Sequence, residues 1–264
     1  MKPVWSSAVA VLLLAVPVQA LTDKQVSEKL NNVPAFAIVN KEGKPLIVPV
    51  KEKDAKEEVG VIPVFTDGDL ASKNYAEFQK NAPDASKLYQ IIPIRLGEAF
   101  DAARTERQNK ESKIRYYFQP DPEDQKKALA LAKQTKSDIK EFPWIPVFFL
   151  GKGGQPVVFT KGSEQSLPFF FSEDDLQKQW QLLKKDKPDM AIKAEIQVAS
   201  LYQILDFMLD AKNDKEAQAI TFIPAEDALK YVDTIQKNLP SGFAKDGAPA
   251  TTPVAPKPNE APKP

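Results

Sequence analysis

An α+β fold is predicted, in which a pseudo-twofold duplication joins two similar units, each a mixed sheet with flanking helices. Three observations carry the prediction. A tetrapeptide of aliphatic residue, proline, variable residue and phenylalanine occurs four times, as Val33-Pro34-Ala35-Phe36, Ile62-Pro63-Val64-Phe65, Ile145-Pro146-Val147-Phe148 and Leu167-Pro168-Phe169-Phe170. The copies form two pairs about 110 residues apart, the long-range recurrence expected of an internal repeat. Around each pair, apolar runs and helical stripes follow one order: hairpin, strand, helix, strand, helix, strand, helix. Hydrophobic residues at 42% beside charged ones at 27% suffice for a core in a globular chain of 264 residues. The expected division is a signal peptide at 1–20, an N-terminal helix at 21–32, a first repeat at 33–140, a second at 141–239, and a disordered Pro/Ala/Lys tail at 240–264.

Lys2, the apolar run from Ala8 to Val16 and the small or aliphatic Val18-Gln19-Ala20 have the layout of a secretory signal cut after Ala20. The apolar run is too short to span a bilayer, and no other stretch predicts stable membrane insertion. Leu21 to Asn31 then predicts an amphipathic helix capped by Thr22, with Leu21, Val26 and Leu30 on one side.

In the first repeat, Phe36–Val39 and Leu46–Val50 flank the turn Lys41-Glu42-Gly43-Lys44, which predicts a hairpin. Val61–Thr66 is a strand, and Asp67 caps a helix whose Ala71, Tyr75 and Phe78 share a stripe. A strand at Leu88–Leu96, a helix at Gly97–Arg104 and a strand at Ile114–Phe118 follow. Asp121 then opens a helix with Pro122 at its first position and acids in its first turn.

The second repeat has the same grammar. Ile145–Leu150 and Pro156–Thr160 predict a hairpin around Gly151-Lys152-Gly153-Gly154, and strand Leu167–Phe171 leads into a helix started by Ser172. Leu176, Trp180 and Leu183 answer Ala71, Tyr75 and Phe78. Strand Ala194–Val198, a helix capped by Ser200, strand Ile220–Ile223 and a closing helix complete the unit, with Phe222-x-Pro224 matching Phe118-x-Pro120. Beyond Leu239 the Pro/Ala/Thr/Lys composition cannot bury enough apolar surface to offset its ordering entropy.

Composition excludes much chemistry. Lys plus Arg and Asp plus Glu number 36 each, so the basic surplus of a nucleic-acid binder is missing. There is no cysteine and no histidine, hence no disulfide, no thiolate and no imidazole base or metal ligand. The acid pairs Glu123-Asp124, Asp174-Asp175 and Glu226-Asp227 all fall in first turns of predicted helices, where the macrodipole favours them without catalysis. Asp67-Gly68-Asp69 is too short for a Ca²⁺ loop. The Gly151–Gly154 stretch lacks the following helix that a phosphate loop needs. No enzyme, cofactor or metal site is proposed by these residues.

The aromatic residues offer the candidate site. Phe169, Phe170 and Phe171 are consecutive, so a strand places them on both faces. Phe170 matches Phe65 and belongs to a face expected to be core in both repeats. Phe169 and Phe171 match Val64 and Thr66, so their face has gained aromatic surface in the second repeat only. That face is either core or an apolar groove for polypeptide or lipid. Trp144, Phe149, Phe169 and Phe171 are the candidate polypeptide-binding residues.

The signal, the paired tetrapeptides and their order resemble the Tic twenty-two family, the intermembrane-space component of chloroplast protein import and its cyanobacterial periplasmic relatives. The resemblance rests on Gly60-Val61-Ile62-Pro63-Val64-Phe65, Phe142-Pro143-Trp144-Ile145-Pro146-Val147-Phe148, Leu167 to Leu176 and Ile220-Thr221-Phe222-Ile223-Pro224. It implies a non-enzymatic chaperone or targeting factor with pseudo-twofold symmetry, located in the periplasm, although a Sec-type signal also serves the thylakoid lumen. The implied partners are unfolded outer-membrane protein precursors and an Omp85-type assembly factor. A carrier of lipid or another small hydrophobe is the alternative. Separately, Ile145–Leu150 with Gly154-x-Pro156 looks like the cis-proline hairpin of thioredoxin-fold proteins. That likeness makes Pro34, Pro63, Pro146 and Pro168 candidates for cis bonds, with redox chemistry excluded by the lack of cysteine.

Overall fold

In the computed structural model, residues 20–51, 57–135, 138–152, 155–161, 164–186, 194–210 and 214–239 are described. Residues 1–19 of the expected signal peptide, the glycine pair Gly153-Gly154 and the proline-rich tail lie outside them. Local chemistry starts the chain as anticipated. Thr22 accepts the Gln25 N–H and donates its own N–H to the Gln25 side chain, closing a capping box on α1 (Asp23–Leu30). Asp67 accepts the Leu70 N–H at 2.6 Å and so caps α2 (Gly68–Asn81).

The first sheet contains β1 (Pro34–Asn40), β2 (Val48–Val50), β3 (Val59–Phe65), β4 (Tyr89–Arg95) and β5 (Ile114–Gln119). Its order is β4-β1-β3-β5, with β2 on β3 beside β1; β1 is antiparallel to β4 and β3, and β5 is parallel to β3. The second contains β6 (Pro146–Lys152), β7 (Gln155–Pro156), β8 (Phe159–Lys161), β9 (Glu164–Phe170), β10 (Glu195–Ser200) and β11 (Ile220–Ile223). Its order is β10-β6-β9-β11, with β6 antiparallel to β10 and β9, and β11 parallel to β9. Strand order and direction are thus the same in both sheets. The tetrapeptide phenylalanines meet as cross-strand partners in each, Phe36 with Phe65 and Phe148 with Phe170.

Both predicted hairpins need correction. The returning chain meets β1 only ahead of β2, at the bridge of Pro45 to Val39 and where the Leu46 N–H donates to the Ile38 carbonyl, and β2 itself pairs with β3. In the second sheet β7 pairs with β6, but β8 leaves to pair with β9. The turn residues bring the chain back, but the neighbouring strand competes for the returning backbone and wins. Among the described residues no peptide bond is cis, so the thioredoxin-like expectation for Pro34, Pro63, Pro146 and Pro168 does not hold.

The remaining helices are α3 (Pro83–Ser86), α4 (Leu96–Gln108), α5 (Pro122–Thr135), α6 (Glu173–Asp186), α7 (Leu201–Leu209), α8 (Asp214–Ala219) and α9 (Glu226–Asn238). One apolar cluster joins the inner faces of both sheets to α1, α4 and α7, with Leu30, Leu96 and Leu201 fully buried within it. The outer faces are covered crosswise. α5 follows the last strand of the first sheet, yet its Ala128, Leu129 and Ala132 pack on Phe148 and Phe170 of the second. α9 follows the last strand of the second sheet, yet its Ala228, Tyr231 and Val232 pack on Phe36 and Phe65 of the first. Tyr231 meets the Phe36 ring edge-on at 5.0 Å and hydrogen-bonds Ser72 of α2. Each sheet therefore depends on a helix from the other side of the chain, although the expected boundary at 140/141 assigns α5 to the first unit.

Candidate functional site

The four candidate residues do not form one surface. Phe149, Phe169 and Phe171 are 9%, 2% and 7% exposed and belong to the central cluster. Phe149 packs on Phe169 at 5.2 Å, and Phe222 receives Phe169 at 6.4 Å and Phe171 at 6.2 Å. Of the two readings of this face, the core reading describes the structure. The helices of the middle layer cover it, which the alternation along one strand cannot reveal.

Trp144 alone is displayed. It is 58% exposed and has φ of 67°, the one non-glycine positive φ among the described residues. A bulky L-residue in that region costs about 1–2 kcal/mol and persists only where its surroundings impose it. Here Ile145, buried next to it, accepts the Leu201 N–H at its carbonyl and so holds the chain while Trp144 turns outward. Its ring lies 4.9 Å from Tyr202, which meets Phe100 at 5.4 Å, which stacks on Phe118 at 4.4 Å. This ladder of rings connects the surface to the core. Beside it Arg104, Arg107, Tyr202, Leu205 and Leu209 line a cleft of about 190 Å³.

A second apolar concavity was missed from sequence. About 370 Å³ lies between α6 and the second sheet, lined by Leu150, Phe159, Phe170, Leu176, Trp180 and Leu183, with the exposed Leu182 beside them. The Trp180 indole N–H is buried without a partner, and Lys184 sits 3.6 Å above its ring. The helical period puts Trp180 on the stripe that faces the sheet, but it cannot show that the facing strand leaves a gap.

The acid pairs hold helix ends, although not only their own. Asp121 accepts the Glu123 and Asp124 N–H groups of α5. Asp124 of α5 accepts the Glu173 N–H of α6 at 3.0 Å, and Asp175 of α6 accepts the Glu226 N–H of α9 at 2.7 Å. Three carboxylates thus cap the N-termini of α5, α6 and α9. Lys127 meets Asp174 at 2.6 Å, and Lys178 lies between Asp175 and Glu226. Burial pushes the Asp124 carboxyl up to about 6, against the lowering effect of the Glu173 N–H. Among the described residues no group of three or more acids could hold a metal ion, and no helix is long and apolar enough to cross a membrane.

The model of the Tic22-like family matches residues 3–234. A solved structure of Tic22 from Anabaena, described as protein transport, superposes with a TM-score of 0.67 at 24% identity, covering 81% of this chain and 97% of that one. Tic22 from Plasmodium falciparum superposes with a TM-score of 0.64 at 21% identity, covering 81% of this chain and 99% of that one. No curated protein matches by sequence.

Proposed function

From the premise that the chain belongs to the Tic22-like family, we propose that it is a non-enzymatic protein-transport factor of the periplasm. It holds unfolded outer-membrane protein precursors and delivers them to an Omp85-type assembly factor. The observation that carries this reading is the family match over residues 3–234, together with the fold shared with an Anabaena protein described as protein transport. The surface is consistent with it. Trp144 and Tyr202 beside Arg107 combine the residue types that dominate binding hot spots.

The test is the refolding of a denatured outer-membrane β-barrel, followed by light scattering without ATP. The full chain at equimolar ratio is expected to reduce aggregation several-fold; no reduction overturns the reading. The apolar concavity beside Trp180 favours a second reading, a carrier of lipid or another small hydrophobe. Organic extraction of the native protein distinguishes the two, since a carrier releases a bound lipid in stoichiometric amount.

A further inference from the structure

β11 is an edge strand of the second sheet. The Phe171 N–H donates to the Ile223 carbonyl, and the parallel register pairs Thr221 with Pro168 and Ile223 with Phe170. Backbone groups alternate sides along a strand, so Thr221 and Ile223 turn toward β9 while Ile220 and Phe222 turn their amides and carbonyls outward. The α1 segment runs along this edge at a distance, leaving a groove of about 420 Å³. Leu21, Gln25, Lys29 and Asn32 line one side of it, Ile220 and Phe222 the other.

Lys29 reaches across the groove. Its ammonium donates to the Gln218 carbonyl at 2.8 Å and to the Ile220 carbonyl at 2.9 Å. An outward strand carbonyl therefore receives an N–H from a side chain at the place where a neighbouring strand would supply one. The arrangement is costly for the lysine, because burial disfavours its charged form.

We propose that the groove between α1 and β11 is a strand-addition site for an extended polypeptide segment. The incoming backbone replaces Lys29 as donor to the Ile220 carbonyl and pairs with the Phe222 amide and carbonyl. The released ammonium returns to water. The edge itself identifies the occupant. Donors and acceptors repeating every second residue are matched by another strand, whereas an acyl chain would leave them unpaired. This site rests on the polypeptide-binding reading above and specifies its chemistry. The contrasting role for Lys29 is protection of an edge against self-pairing.

The experiment uses the full chain and a short fluorescent peptide of alternating valine and threonine, read by anisotropy. Two further peptides carry N-methyl groups on one or the other alternate set of amides. One set is expected to weaken binding about tenfold, the other to leave it within about twofold, because only one set faces β11. Amide exchange at Ile220 and Phe222 is expected to slow on binding. Lys29→Met, which frees the Ile220 carbonyl without adding a charge, is expected to tighten binding. Absence of binding, equal binding of both methylated peptides, or unchanged exchange at Ile220 and Phe222 overturns the proposal. So does a Lys29→Met chain that self-associates with no gain in peptide affinity. A chain that suppresses barrel aggregation yet fails these tests keeps its transport reading and loses the strand-addition site.

Discussion

Asp124→Asn is expected to stabilise this protein at neutral pH, with the gain shrinking as the pH falls toward 3.8. Asp124 is 8% exposed, and its carboxylate accepts the Glu173 N–H at the start of α6. Asp121 ahead of α5 and Lys127 within it face the group, as do Glu173 and Asp174 of α6. Burial outweighs these partners and raises its pKa from 3.8 to about 6. Below pH 3.8 the group is neutral in folded and unfolded chains alike. Between 3.8 and about 6 the folded chain binds the extra proton, so stability from this group is lost as pH rises through that window. A shift of two units corresponds to about 3 kcal/mol at complete burial. The solvent-facing side of the carboxylate screens it, so about 1–2 kcal/mol is the working figure.

Asparagine keeps an oxygen for the Glu173 N–H and cannot ionise. Urea unfolding at pH 4.5 and pH 7.5 should therefore show the variant about 1–2 kcal/mol more stable at the higher pH, by roughly a third of that at the lower, and with an unchanged m-value. A variant destabilised at pH 7.5 would refute the reasoning. It would mean that the charged cap of α6 is worth more than its burial costs.

Gly97→Ala should unfold early, because a Cβ at Gly97 would lie 2.0 Å from the Ser27 carbonyl oxygen, pressing α4 against the backbone of α1. The expected loss is about 2–4 kcal/mol, visible by calorimetry as roughly 2–4 °C per kcal/mol; a stability equal to the parent would show that the helices do not approach this closely. Trp144→Asn should leave the melting temperature within about 2 °C, since relief of the positive φ offsets the lost contact with Tyr202. Its suppression of barrel aggregation should fall in the light-scattering assay, and an unchanged suppression would remove Trp144 from the binding surface.

Much of the fold was legible. Thr22 with Gln25 and Asp67 with Leu70 are caps made within three residues, so their chemistry is contained in the local sequence. The strands at Tyr89–Arg95, Ile114–Gln119 and Ile220–Ile223 follow their apolar runs, and the stripe Leu176, Trp180, Leu183 faces the second sheet as its period requires. α3 and α8 escaped notice because four and six residues are too few to display a period. The candidate site was less legible. Phe149, Phe169 and Phe171 carried the correct apolar signal, but whether a middle layer or a ligand covers that face is not a local property. Trp144 was singled out by composition, and its positive φ was invisible.

By itself the sequence determined the longer strands and helices, which of their faces are apolar, and that cysteine and histidine chemistry is closed to this chain. These follow from side-chain periods and capping groups that act over one or two turns. Only the tertiary structure decided that α5 and α9 exchange sheets, that Asp124 and Asp175 cap helices other than their own, and that Lys29 fills the edge of β11. Each of those depends on which of several equally apolar or equally polar surfaces meet. That choice is made by shape and packing between segments up to 191 residues apart, where the local pattern carries no information.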